Sequence, residues 1–77
     1  MKGNITIPDT HAARAYIGLQ LQEFRKAKQL SQKNLAELIG ISDTTISKIE
    51  AGKWAITVDM LALFAQHLGF TEIKIIE

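Results

Sequence analysis

The stretch that most constrains this chain is SQKNLAELIGISDTTISKIEAG, residues 31–52. Apolar residues recur at helical spacing on both sides of Gly40: Leu35, Ala36, Leu38 and Ile39 before it, Ile46 and Ile49 after it. A serine opens each half, and the side chains of Ser31 and Ser42 suit the N-cap position, where an oxygen accepts from a free first-turn N–H. Gly40 suits the left-handed conformation that closes a helix. Two helices joined by about three residues stand nearly perpendicular. Leu35 and Ile39 then face inward from the first, and Ile46 and Ile49 face back from the second. Ala36 falls at the crossing, where only a small residue lets the backbones approach, and Ile41 plugs the gap beneath the turn.

The flanks supply further helices. Asp9 or Thr10 caps a long one that runs to about Gln29, with Ala13, Ile17, Leu21 and Phe24 as its core stripe. Thr57 caps another, from Val58 to about Leu68, ended by Gly69. This last helix carries two apolar stripes, one of Val58, Leu61, Ala62, Ala65 and Leu68, the other of Met60, Leu63, Phe64 and His67. A helix apolar nearly all round calls for burial nearly all round. At the ends, NITI (4–7) and TEIKIIE (71–77) alternate as strands do, which predicts short strands over about 4–7 and 72–76. A hydrophobic content of 47% with a single proline and five glycines fits a folded, helical chain with short connections. The expected architecture is all-α: one domain over residues 1–77, a four- to five-helix bundle with its core at about 10–69, plus the terminal strands. A chain of this size buries only about 60% of its unfolded surface, so a partner would help it.

The tetrad Ser42, Asp43, Thr44 and Thr45 stands at the mouth of the second short helix. With Ile46 and Ile49 turned inward, Asp43, Thr44, Ser47 and Lys48 lie on the face left free. Net charge is only +1, but residues 25–53 hold six bases against three acids, leaving the remainder at −2. A positive middle is compatible with phosphate contact and equally with an ordinary solvated face. Catalysis is not indicated: His11 and His67 are the only histidines, cysteine is absent, and neither paired carboxylates nor a phosphate-cradling glycine loop is present. No cofactor or metal site is expected. The apolar run Met60 to Ala65 is too short for a membrane span. The start, MKGNITIPDT, lacks the apolar core of a signal peptide, which predicts a cytoplasmic protein.

In combination, LSQ, LA with IGIS, TISKIEAGK and LALFAQHLG resemble the helix-turn-helix of phage repressor and Cro-type proteins, the xenobiotic-response-element (XRE) family. The resemblance covers roughly Leu21 to Gly69. It implies a repressor-like bundle that binds operator DNA as a homodimer. Carried over by position, Asp43, Thr44 and Lys48 match base readers, and Thr45 matches a residue near the backbone. Gln32 matches a phosphate anchor at a helix N-terminus, with Lys33 beside it. Lys53 and Trp54 match the loop that grips the next phosphates. Arg25 and Glu50 match a salt bridge beneath the motif.

Each role has a plainer rival. Ser42 reads as a cap, as a base contact, or as both. Lys48 reads as a guanine donor, a phosphate contact or the partner of a local carboxylate. Asp43, an acid among phosphates, accepts from cytosine or serves the helix macrodipole. Trp54 packs on the bundle edge or stacks on DNA. The surplus apolar surface suggests a dimer interface of Met60, Leu63 and Phe64 with Ala12, Tyr16 and Leu19 from the first helix, extended by Ile73 and Ile75. Two other functions remain open at this point. One is an antitoxin that also represses its operon, with a toxin protein as partner. The other is a protein–protein module without DNA affinity, since fold does not fix function.

Overall fold

The structure is a computed structural model that describes residues 9–75. Asp9 accepts from the His11 N–H at 2.7 Å and so caps helix α1, Thr10–Ala27. α1 ends two residues short of the sequence expectation. Gln29 turns left-handed at φ 59°, and the N–H groups of Gln29 and Leu30 bond back to the carbonyls of Lys26 and Arg25. This paired closure satisfies carbonyls that the last turn leaves free.

Three more helices follow the same local chemistry. Ser31 accepts from the Asn34 N–H to start α2, Gln32–Ile39. Gly40, at φ 91°, closes it, and two residues later Ser42 caps α3, Asp43–Glu50, by accepting from the Thr45 N–H. Thr57 accepts from the Met60 N–H to start α4, Val58–Leu68, which Gly69 ends at φ 80°. Among the described residues the fold is therefore all-α, a four-helix bundle in which α2 and α3 form the helix-turn-helix.

The core gathers Leu21 from α1, Leu35 and Ala36 from α2, Ile46 and Ile49 from α3, and Phe64 and Leu68 from α4. Leu21, Leu35, Ile46 and Phe64 are completely enclosed. Ile17, Phe24, Ile39, Ile41, Met60 and Leu61 pack around them, and the Phe24 and Phe70 rings stack at 4.6 Å between centroids. Such burial stabilises by about 1.5–3 kcal/mol per large side chain, which a domain this small needs from each of them.

Three expectations are corrected. Phe64 does not belong to an outward stripe of α4. It is wholly buried inside its own chain and offers no surface. Val58, grouped with Leu61, Ala62, Ala65 and Leu68 on a helix expected to be buried nearly all round, is 82% exposed in the first turn of α4. The expected strand at 72–76 is not one over its described part. Residues 72–75 pair with no strand, and Lys74 instead exchanges backbone bonds with the Gln20 side chain, whose Oε1 accepts from the Lys74 N–H at 2.9 Å and whose Nε2 donates to its carbonyl. The strand expected over 4–7 lies outside the described residues.

Candidate nucleic-acid interface

α3 is eight residues long and sharply two-faced. Ile46, Ile49 and Glu50 are buried, whereas Asp43, Thr44 and Ser47 are exposed. The division follows from helical spacing: residues three and four apart share a face. Asp43 occupies the first turn of α3, where the macrodipole favours an anion, and Lys48 the last, where it favours a cation.

Ser42 and Thr45 are tied to each other. Besides the cap, their hydroxyls lie 2.9 Å apart in a hydrogen bond. Thr45 is half-buried by this arrangement, while Thr44 stays exposed. The hydroxyl of Ser42 is thus committed first to the helix it starts.

Lys48 does not project freely. Its ammonium lies over the Trp54 ring, 4.6 Å from the centroid. Trp54 is 46% exposed and, with Ala13, Arg14, Ile17, Ile49 and Ile56, also lines a cavity of about 260 Å³ at the α1–α3 edge. Lys53, on the same loop, is exposed.

Behind α3 stands a charged anchor. Arg25 Nε donates to Glu50 Oε2 at 2.7 Å, and Arg25 Nη2 to Glu50 Oε1 at 3.0 Å. Arg25 Nη1 donates to the Leu30 carbonyl at 2.6 Å. Gln32 Nε2 adds a bond to Glu50 Oε1 at 3.0 Å. Both charged residues are buried, and no buried side-chain polar atom among the described residues lacks a partner. One network therefore joins the end of α1, the α1–α2 turn, the start of α2 and the end of α3. The Gln32 side chain belongs to this network, so any anion at the α2 N-terminus would meet the backbone N–H groups of Gln32 and Lys33. Lys33 itself is exposed.

The remaining expected residues fall away from α3. Leu19 and Ile75 are exposed by 55% and 51%, and Tyr16, Met60, Leu63 and Ile73 are half-buried. Gln20 holds the tail at Lys74 beside α1, next to Leu19, and also donates to the Tyr16 carbonyl.

Two positioning residues were not anticipated from sequence. A Cβ on Gly18 would stand 2.5 Å from the Ile49 carbonyl oxygen and 2.6 Å from that of Glu50. The absence of a side chain there lets α1 press directly on the end of α3. A Cβ on Gly52 would meet the Ala15 Cα at 2.7 Å, which fixes the loop after α3 to α1. A glycine inside a helical pattern was the available signal for Gly18, because it costs about 1 kcal/mol against alanine unless packing requires it.

A short helix clamped from behind and joined by a tight turn to the helix before it defines the class of a helix-turn-helix domain. The chain belongs to the helix-turn-helix family HTH_3, whose family model matches residues 21–75. Its fold resembles the phage-repressor type and that of restriction-modification controllers. The restriction-modification controller protein C.AhdI of Aeromonas hydrophila is 30% identical, with a TM-score of 0.74 over 78% of this chain and 91% of that one. The hypothetical transcription factor NHTF of Neisseria is 29% identical in its crystal structure, with a TM-score of 0.74 over 88% and 76% of the two chains. By sequence, this Neisseria protein is 32% identical over 63 residues, 82% of this chain and 59% of that protein. The uncharacterized HTH-type transcriptional regulator RghRB of Bacillus subtilis is 56% identical over 36 residues, 47% of this chain and 26% of that protein. The chain thus spans about a quarter of one curated relative's length and 59% of the other's. These relatives are described as a transcriptional regulator, a transcription factor and a controller protein.

Proposed function

We propose that this chain binds double-stranded DNA sequence-specifically as a homodimer in the cytoplasm and acts as a transcriptional repressor, with α3 in the major groove. The observation that carries the reading is the division of α3: Ile46, Ile49 and Glu50 locked inward, Asp43, Thr44 and Ser47 outward, with Lys48 beside them. B-DNA's major groove admits one α-helix, and the N-terminal residues of that helix meet base edges. Thr44, Ser47 and Asp43 offer short polar groups at that end, and Lys48 offers a donor suited to guanine. Lys33 and Lys53 serve phosphates on either side, with the N–H groups at the α2 N-terminus. Family membership supports the same reading, as do relatives described as transcriptional regulators and a restriction-modification controller. A dimer covering an operator represses by occupying the DNA that transcription needs.

Selection from a pool of random duplexes tests the reading directly. The expected product is a two-fold-related site with half-sites about one helical turn apart. Thr44→Ala and Lys48→Ala are each expected to weaken the selected site by about 1–3 kcal/mol and to relax preference at one base pair. Unchanged affinity and unchanged preference in both variants would remove α3 from the base-reading role.

A further inference from the structure

The geometry points to Trp54 as the residue that sets the specificity of Lys48: its ring holds the ammonium where one base pair is read, without itself reading DNA. This rests on the DNA-binding reading of α3 and adds to it a positioning residue outside that helix. Two independent features place the ring. Gly52 is seated on the α1 backbone at Ala15, and the Lys53 N–H closes onto the Lys48 carbonyl at 2.9 Å. The loop that carries Trp54 is therefore fixed at both its α1 side and its α3 side. Lys48 is held twice by that loop, through its carbonyl and through its ammonium 4.6 Å from the ring centroid. On its inner side the indole borders the cavity it shares with Ile17, Ile49 and Ile56.

A free lysine spends much of its binding energy on ordering its flexible stem and samples phosphates as readily as bases. A ring that attracts the cation removes part of that freedom before DNA arrives. An ammonium also keeps three donors, and a ring face occupies only one side of it. The other donors stay available to an acceptor pair such as guanine O6 and N7. The consequence falls on discrimination at one base pair, whereas phosphate-based affinity is carried by other cations.

Trp54→Leu and Trp54→Phe separate this role from others. In the free protein, the Lys48 side-chain methylene protons are expected to show upfield ring-current shifts that vanish in Trp54→Leu and persist in part in Trp54→Phe. On DNA, the ratio of affinities for the selected duplex and its single-base variants is expected to fall about 3- to 10-fold in Trp54→Leu, at one base pair only. The slope of affinity against salt is expected to hold in Trp54→Leu, and Trp54→Phe to recover most of the ratio. Thermal melting checks that the variants fold. A variant that fails to fold leaves the ring-current test on the native chain to decide, and absent shifts there overturn the pairing. A uniform loss on every duplex, or a shallower salt slope, would show that the indole contacts DNA and would overturn the positioning role. Ring-current shifts in a native chain that binds no duplex would reject the DNA-binding reading while leaving the pair itself intact.

Discussion

At Gly18 there is no room for a methyl group. The atoms that a Cβ would strike are the backbone carbonyl oxygens of Ile49 and Glu50 and the Glu50 carbonyl carbon, which cannot change rotamer to make space. Alanine returns about 1 kcal/mol of helix propensity, but forcing α1 off α3 costs more. Gly18→Ala is therefore expected to destabilise by about 1–3 kcal/mol net, read as a lower denaturant midpoint. Gln29 presents the opposite case, a residue with a side chain in the left-handed region at φ 59°. It is exposed, so nothing but the backbone is at stake. Gln29→Gly is expected to raise stability by about 0.5–1 kcal/mol in the same measurement. The two substitutions have opposite signs because one glycine is demanded by a neighbour and the other by a torsion angle.

The elements were largely legible in the sequence because their ends are local. Ser31, Ser42 and Thr57 each bond an N–H three residues on, and Gly40 and Gly69 each adopt the torsion that only glycine takes freely. What was not legible depends on residues distant in the chain. Gln20 ties down Lys74 across 54 positions, and no periodicity announces such a bond. The alternating tail reads as a strand because β-branched residues suit one, yet Gln20 takes the backbone groups that a strand would use. Phe64 was assigned outward because two apolar stripes on one helix look alike until the position of the core is known. The exposed face of α3 was readable for the reason that the caps were: burying Ile46 and Ile49 leaves Thr44 and Ser47 no other place. The Lys48–Trp54 stack crosses a helix end at a spacing of six, where no simple periodic rule applies.

The mounting of α3 is also decided at this scale. Arg25 and Glu50 are buried, with a bidentate bond and further partners in Leu30 and Gln32. Desolvation offsets much of their attraction, so the intact pair contributes little net stability. Its loss is asymmetric. Arg25→Ala leaves the Glu50 carboxylate buried against the last turn of α3, where the macrodipole also disfavours an anion. A loss of about 3–5 kcal/mol is expected, a large part of what a domain of this length has. Replacing both together, Arg25→Met with Glu50→Leu, is expected to restore most of it. A double variant no more stable than the single one would show that the network contributes more than charge compensation. The comparison needs only thermal or denaturant unfolding.

At the scale of the whole molecule, discrimination limits what one copy can do. A single recognition helix reads about four base pairs, and each mismatch is worth about 1–3 kcal/mol, too little against the competing sites of a genome. Pairing two copies on one face of the duplex multiplies that ratio. The surface available for pairing is not on α3. Leu19 and Ile75 are the large exposed apolar residues beside the α1–tail junction that Gln20 builds, with Tyr16 half-buried on the same helix. Phe64 drops out of this surface, while Met60 and Leu63 remain partly open on α4. Leu19→Glu with Ile75→Glu places two charges on each side of the proposed interface without touching the core. Sedimentation at micromolar concentration is expected to show a dimer for the native chain and a monomer for this variant. On the selected duplex, a native dimer neutralising about eight phosphates gives a log–log salt slope near −7, and the variant, binding as single copies, about half that. A native chain that sediments as a monomer and shows the shallower slope would confine recognition to one half-site. In that case the apolar surface on α1 and the tail would have to serve a different partner.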